Sequence, residues 1–188
     1  MKTKNQKIVF QGKIIEVIEE TINVNGKLLH LEEARRSPGV RVIIETPEGN
    51  FILNKEVRQE LKEIDYRLPG GKVFDNLKKY NDFLKNGKNI NKKAEEMAKI
   101  EALQEAGIKV LDIEYLSTSV CGSTVYWDLI YFIVKKYEKV KQELEEHEII
   151  ENIEVSAKEL KDLALSGKIQ EDRSVAVILK YLNKMGKL

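Results

Sequence analysis

Two glutamates stand four positions apart in the run AEEMAKIEALQEAG, where good helix formers extend from Ala94 to Ala106 and Gly107 supplies a left-handed stop. In a helix this spacing stacks Glu101 and Glu105 on one face, with Gln104 beside them. Like charges stacked in this way repel by a few tenths of a kcal/mol in water, and by more when they are partly buried. A cation relieves that repulsion, and hard ions such as Mg²⁺ or Mn²⁺ suit carboxylate oxygens. One cysteine (Cys121) and two histidines leave no material for a Cys/His zinc site, so any metal here sits on oxygen. Taken alone, a glutamate pair at this spacing is most often a solvated acidic face. What surrounds the helix therefore has to decide.

Ahead of the helix, DYRLPGG (Asp65–Gly71) cannot be helix interior. Pro69 restricts its predecessor to extended angles, and Gly70 and Gly71 carry no side chain, so the segment reads as a loop that something approaches closely. Between this loop and the helix, residues 72–91 are rich in Lys and Asn, and read as an inserted surface segment with a short helix over Asp75–Leu84. Upstream, Asn25-Gly26 between apolar residues is a strong hairpin signal that pairs Thr21–Asn23 with Leu28–Glu32 inside an N-terminal meander of about three strands. A second hairpin joins Val40–Glu45 to Phe51–Leu53 through Pro47-Glu48-Gly49-Asn50. Downstream, Val110–Val120 and Val125–Val134 read as strands. Ser156 caps a helix over Ala157–Leu165 ended by Gly167, and a last helix runs from Asp172 or Ser174 to about Met185.

The length of 188 residues allows one principal core. A formal net charge of +1 gives no global basicity for nucleic acid. Without 18 consecutive apolar residues or an apolar leader, the expectation is a cytoplasmic chain with no membrane partner.

The stretch NKKAEEMAKIEALQEAGI (Asn91–Ile108) resembles the second half of the Nudix box, with Glu101, Ala102, Glu105, Gly107 and Ile108 matching. Leu68-Pro69-Gly70-Gly71 resembles the glycine loop that opens the box, with about fifteen extra residues before the helix. Lys92, Ile100 and Gln104 depart from the pattern, standing in place of a Glu, an Arg and a third clustered Glu. Four further segments are similar, in order, to the ADP-ribose pyrophosphatase branch of that family. They are RRSPGVRVIIETPEGNFILNKEVRQEL, the Cys121-Gly122-Ser123 turn, LEEHEIIENIEV, and ELKDLALSGKIQEDRSVAVILKYL.

This resemblance implies a Nudix α/β/α sandwich with a mixed β-sheet (residues 38–188), preceded by an antiparallel β-meander (residues 1–37) through which a homodimer forms. It implies Mg²⁺- or Mn²⁺-dependent hydrolysis of the pyrophosphate bond in a nucleoside diphosphate linked to another moiety, with ADP-ribose or a nucleotide sugar as first substrate. Glu101 and Glu105 would hold the metal, with Gln104 and the Gly70 carbonyl as weaker oxygens. Gly71, Arg58 and Arg67 would face the substrate, the arginines through bidentate phosphate contacts. A general base comes from the acidic segment Glu143–Glu148, where Glu146 and Glu148 fit the family pattern best. Tyr126 or Trp127 could stack a base or pack the core. Two other functions stay open: a weakened Nudix domain that binds a nucleotide or a protein, favoured by the three departures from the box, and a triphosphate specificity gated by residues 72–91.

Overall fold

The computed structural model describes residues 5–58, 63–144 and 149–188. The first three strands, β1 (Asn5–Gln11), β2 (Ile15–Val24) and β3 (Lys27–Arg36), pair antiparallel in sequence order. Asn25 and Gly26 take φ of 53° and 85°, the pair of positive angles that a type I′ turn requires. The Gly26 N–H donates to Asn23 Oδ1 at 2.8 Å. This turn sets the register in which Thr21 faces His30 and Asn23 faces Leu28, as the Asn-Gly signal predicts.

A second sheet is built around β4 (Gly39–Glu45), which runs parallel to β9 (Leu129–Lys139). On its other side β4 meets β5 (Phe51–Arg58) antiparallel, with only Ile44↔Ile52 and Glu45↔Phe51 in register. Beyond those two pairs the strands part. β5 then takes β6 (Glu63–Arg67) on that side, while β10 (Ile150–Val155) covers its opposite edge and β7 (Ile108–Ser119) flanks β9. The edge of β4 left by β5 is filled by the chain after β6. Val42 N–H donates to Pro69 O and Val40 N–H to Gly71 O, both at 2.9 Å, and Val73 N–H donates to Pro38 O at 2.9 Å.

Both faces of this sheet are covered, which is why VRVII reads as a nearly unbroken apolar run. On one face α2 (Ile90–Ala106) lays Ala94, Ala98, Ala102 and Ala106 against Val40, Val42, Ile44, Ile130 and Phe132. Alanine at every fourth position lets the helix axis approach closely. On the other face α3 (Ala157–Leu165) and α4 (Asp172–Lys184) pack on Ile43, Phe51, Leu53, Leu129, Tyr131 and Ile133. The Ser156 capping box and Gly167 at φ 76° bound α3 as the sequence predicts. This α/β/α sandwich is the fold class expected. No helix among the described residues is long and apolar enough to cross a membrane.

Three sequence expectations need correction. Asp65–Arg67 belongs to strand β6, because pairing with β5 from Asn54 to Arg58 recruits it; only Leu68–Gly71 is loop. The Val125–Val134 strand is two strands in different sheets. β8 (Val125–Tyr126) lies parallel to β3, and the chain crosses to β9 at Trp127-Asp128. The Trp127 ring packs there against the guanidiniums of Arg36 and Arg173, each 4.4 Å from its centroid. The third correction concerns residues 72–91, which form more than a surface excursion. Val73 and Leu77 are buried, and α1 (Leu77–Lys85) docks on the first sheet through Leu77 N–H to Lys13 O at 3.0 Å. Asn81 Nδ2 donates to Glu16 Oε2 at 3.2 Å, where the buried Glu16 carboxylate also accepts Arg35 Nε at 2.8 Å.

One charged pair lies inside the sandwich. Arg41 on β4 grips Glu171 through Nε and Nη2 at 2.9 and 3.0 Å, and donates from Nη1 to Val40 O at 2.9 Å. Ser174 donates to Glu171 Oε2 at 2.5 Å and lies 3.2 Å from the buried Tyr131 hydroxyl. Burial alone would raise the Glu171 carboxyl. The Arg41 charge and hydrogen bonds, the Ser174 hydroxyl and the charge of Arg67 outweigh it and hold the group below its ordinary 4.5. Because the folded value is depressed, the stability it contributes is present above pH 4.5 and is lost as pH falls through that lowered value. Glu171→Gln is therefore expected to cost about 3–5 kcal/mol at neutral pH. In urea titrations at stepped pH, its deficit against the parent protein should shrink as the pH falls below 4.5. A deficit that stays constant across that range would remove the linkage.

Candidate active site

The gap between β4 and β5 brings the sequence-predicted glutamates to the double glycine. Glu105 is only 9% exposed, and its Oε2 accepts the Gly70 N–H at 2.7 Å and Asn54 Nδ2 at 2.9 Å. Glu101, one turn earlier and half-buried, holds its carboxylate over Gly71. A Cβ on Gly71 would lie 2.1 Å from Glu101 Oε1 and 2.6 Å from Cδ. Gly70 is constrained from the other side. Its φ is +152°, and a Cβ there would meet the Val40 carbonyl oxygen at 2.1 Å. Gly70 must be glycine because backbone fills the space beside it, whereas Gly71 leaves room for a carboxylate.

The carboxyl-terminal end of α2 is held by side-chain amides. Asn152 Nδ2 donates to the Glu105 carbonyl at 2.9 Å and to Asn54 Oδ1 at 3.0 Å, and Gln142 Nε2 reaches the same Glu105 carbonyl. These bonds satisfy backbone oxygens that a helix end leaves without intrahelical partners. Sequence reasoning missed Asn54, Gln142 and Asn152. Asn54 did leave a signal, since it interrupts the apolar run FIL at a position facing α2, in phase with Ile52.

Other candidates fall less neatly. Gln104 is half-buried, and its main-chain carbonyl accepts the Glu143 N–H at 3.0 Å, so the acidic segment begins against this end of the helix. Glu145, Glu146, His147 and Glu148 lie outside the described residues. Arg58 ends β5, and its side chain is likewise outside them. Arg67 lies opposite Asn54 in register and pairs with Asp65 at 3.3 Å and Glu56 at 3.5 Å. Lys92 is exposed in the first turn of α2, nine residues and so about 13 Å of helix rise before Glu101. Ile100 is exposed as well. The Trp127 ring already carries the guanidiniums of Arg36 and Arg173; Tyr126 is exposed and its hydroxyl lies 3.4 Å from Glu33. His30 is an exposed strand residue that shares a hydrogen bond with Thr21 at 3.0 Å.

The donors that converge are Glu101, Glu105 and the Gly70-Gly71 backbone. The Gly70 N–H is committed to Glu105 and the Gly71 carbonyl accepts the Val40 N–H, which leaves the two carboxylates and the Gly70 carbonyl as oxygen donors. That set fits a hard divalent cation completing its shell with water and phosphate oxygens. Among the described residues, no three His, Cys, Asp or Glu side chains are grouped to hold a metal by themselves.

Compared with solved structures, the chain matches a crystal structure described as an ADP compounds hydrolase. The TM-score is 0.70 at 18% identity, over 99% of this chain and 96% of that one. The two share a fold, the α/β/α sandwich implied by the resemblance to Nudix proteins. No family model matches the sequence, and no curated protein does.

The two glycines should respond differently to a methyl group. Gly70→Ala meets backbone at a left-handed angle and is expected to destabilise the fold by about 1–3 kcal/mol or more. Gly71→Ala meets only the end of the Glu101 side chain, which can swing away for about 0.5–1.5 kcal/mol. Chemical denaturation of both variants checks this, and equal losses would contradict it.

Proposed function

We propose that this chain hydrolyses the pyrophosphate bond of a nucleoside diphosphate linked to another moiety, in a reaction that depends on Mg²⁺ or Mn²⁺, with ADP-ribose or a nucleotide sugar as first candidate. The observation that carries the reading is the seating of Glu101 and Glu105 over the Gly70-Gly71 loop. Glu101 and Glu105 would hold the cation, with the Gly70 carbonyl and the Gln104 amide oxygen as neutral supplements. When bound, the cation neutralises diphosphate charge and makes a water acidic enough to act as nucleophile near neutral pH.

The protein's own contribution is positional. Asn54 and the Gly70 N–H fix one oxygen of Glu105, so the carboxylate does not reorganise during the reaction. Asn152 and Gln142 fix the helix end behind it. Gly71 presents bare backbone to the substrate. Arg67, its direction set by Asp65 and Glu56, and Arg58 are the candidates for phosphate contact. Glu146 and Glu148 are the candidates for general base. The Glu143 N–H bond to Gln104 supports their assignment, because it starts the acidic segment beside the glutamate pair.

A second reading, a binding module with weakened catalysis, draws on the same site. Glu105 is nearly buried and already accepts two hydrogen bonds, and Gln104 brings no charge for a further cation. A phosphate-release screen over ADP-ribose, nucleotide sugars, dinucleoside polyphosphates and nucleoside triphosphates, with Mg²⁺ or Mn²⁺, separates the two. Turnover is expected, and Glu105→Gln, which can still accept both hydrogen bonds, should reduce it by at least about 100-fold. If nucleotides bind without turnover under any metal, the second reading stands instead.

We also propose that residues 1–37 mediate a homodimer. Their sheet leaves Ile8, Phe10, Ile14, Leu28 and Leu29 exposed, with Leu28 at 65% and Phe10 at 57%. Apolar surface of this kind marks an interaction face. Sedimentation should give a dimer for the parent protein and a monomer for Phe10→Asp/Leu28→Asp. A parent protein that sediments as a monomer would overturn this assignment.

A further inference from the structure

The second sheet ends on β7, which among the described strands pairs only with β9. Its outer edge therefore presents backbone N–H and C=O groups to solvent. Most of that edge is guarded by irregularities in register between Val110 and Asp112, Asp112 and Ile113, and Tyr115 and Ser117. Such bulges twist an edge out of the geometry a new strand needs. The last stretch is not guarded, since Ser117, Thr118 and Ser119 run in even register against Tyr131, Ile130 and Leu129.

Beside this stretch lies α4, and the two enclose a cleft of about 340 Å³. Its floor is apolar, from Leu116 of β7 and Val177 and Tyr181 of α4, while Arg173, Lys180 and Lys184 line it from the helix. Seven and eleven residues after Arg173, Lys180 and Lys184 fall on one stripe of the helix, spanning about 16 Å. No carboxylate lines the cleft. None of the three cations makes an ion pair with a described residue; Arg173 spends its bonds on the Trp127 carbonyl, at 2.6 Å, and on the Trp127 ring. Three like charges in a row on a protein of net charge +1 are a local concentration that repels itself.

From this juxtaposition we infer a peptide-docking groove, in which an extended acidic segment of a partner protein adds as a strand to Ser117–Ser119 and sets carboxylates on alternate residues against Arg173, Lys180 and Lys184. The dimensions agree. At about 3.3 Å per residue, five extended residues cover the 16 Å of the cationic stripe. Alternate side chains of an added strand point to the α4 side, so backbone pairing gives affinity and every second residue gives specificity. A single phosphate or carboxylate is too small to engage all three cations. The groove is separate from Glu101 and Glu105, neither of which lines it.

The test uses the whole chain and a fluorescein-labelled octapeptide of alternating Glu and Thr, followed by anisotropy at low salt and by deuterium exchange. The peptide should bind and slow exchange of the Ser117–Ser119 amides. Lys180→Ala/Lys184→Ala should weaken it about tenfold without changing the melting temperature, since both lysines are exposed. A peptide of equal charge with two adjacent prolines at its centre loses a donor on both edges of an added strand and should bind more weakly. Failure of the first peptide to bind, equal binding of the proline peptide, or equal binding of a thymidine octanucleotide with the same lysine dependence would each overturn the proposal, the last by showing a general polyanion surface. Hydrolase activity enters none of these readouts, so either proposal can fail alone.

Discussion

β4 and β5 stay together for two residue pairs and then separate, and a buried strand cannot leave its amides bare at such a parting. The chain that follows β6 supplies the missing acceptors from Pro69 and Gly71. To do so it must run against β4 so closely that a side chain at Gly70 would strike the Val40 carbonyl. A need for backbone hydrogen bonds thus forces a glycine into the sheet. The same glycine turns its own N–H toward α2, where Glu105 receives it. The candidate site is therefore a by-product of how the sheet repairs its split, and the repair and the proposed chemistry draw on the same few atoms.

The two faces of the sheet are handled by different physics. Toward α2 the contact is small and dry, four alanines against valines and isoleucines, which fixes the depth of the helix and hence the height of its glutamates. Toward α3 and α4 the layer includes a buried ion pair with all its partners present, Arg41 with Glu171, Ser174 and the Val40 carbonyl. Such pairs add little net stability compared with apolar packing, but are costly to half-remove. Here the pair pins the start of α4 to the central strand at the residue next to Val40. The loop on one side and the helix on the other are thus both referenced to one short piece of β4.

Much of this was legible in the sequence where local chemistry determines geometry. Asn25-Gly26 can hardly be anything but a tight turn, Ala94–Ala106 with Gly107 is a helix with its stop, and Ser156 with Glu159 writes its own cap. Glu101, Glu105, Gly70 and Gly71, which the fold brings together, stand out in the sequence because their types and spacing resemble a motif. What stayed hidden depends on partners far away in the chain. β-propensity runs straight from Val125 to Val134 and cannot say that the first two residues serve a different sheet. Asp65–Arg67 looks like loop until β5 is there to pair with it. Asn81 gives no sign that a buried Glu16 waits 65 residues upstream. Asn152 and Gln142 act through their amides on a helix end that only the folded chain brings near.

Trp127 stands where the chain passes from one sheet to the other, packed against a guanidinium from β3 and one from α4. It is also the only tryptophan in the protein. Indole fluorescence, excited at the red edge where the seven tyrosines absorb little, therefore comes from one place, the junction of the meander, the sandwich and the last helix. Its emission reports whether those three parts are still joined, independently of whether each one separately keeps its secondary structure. A single indole makes the assembly of the chain optically distinct from the folding of its pieces.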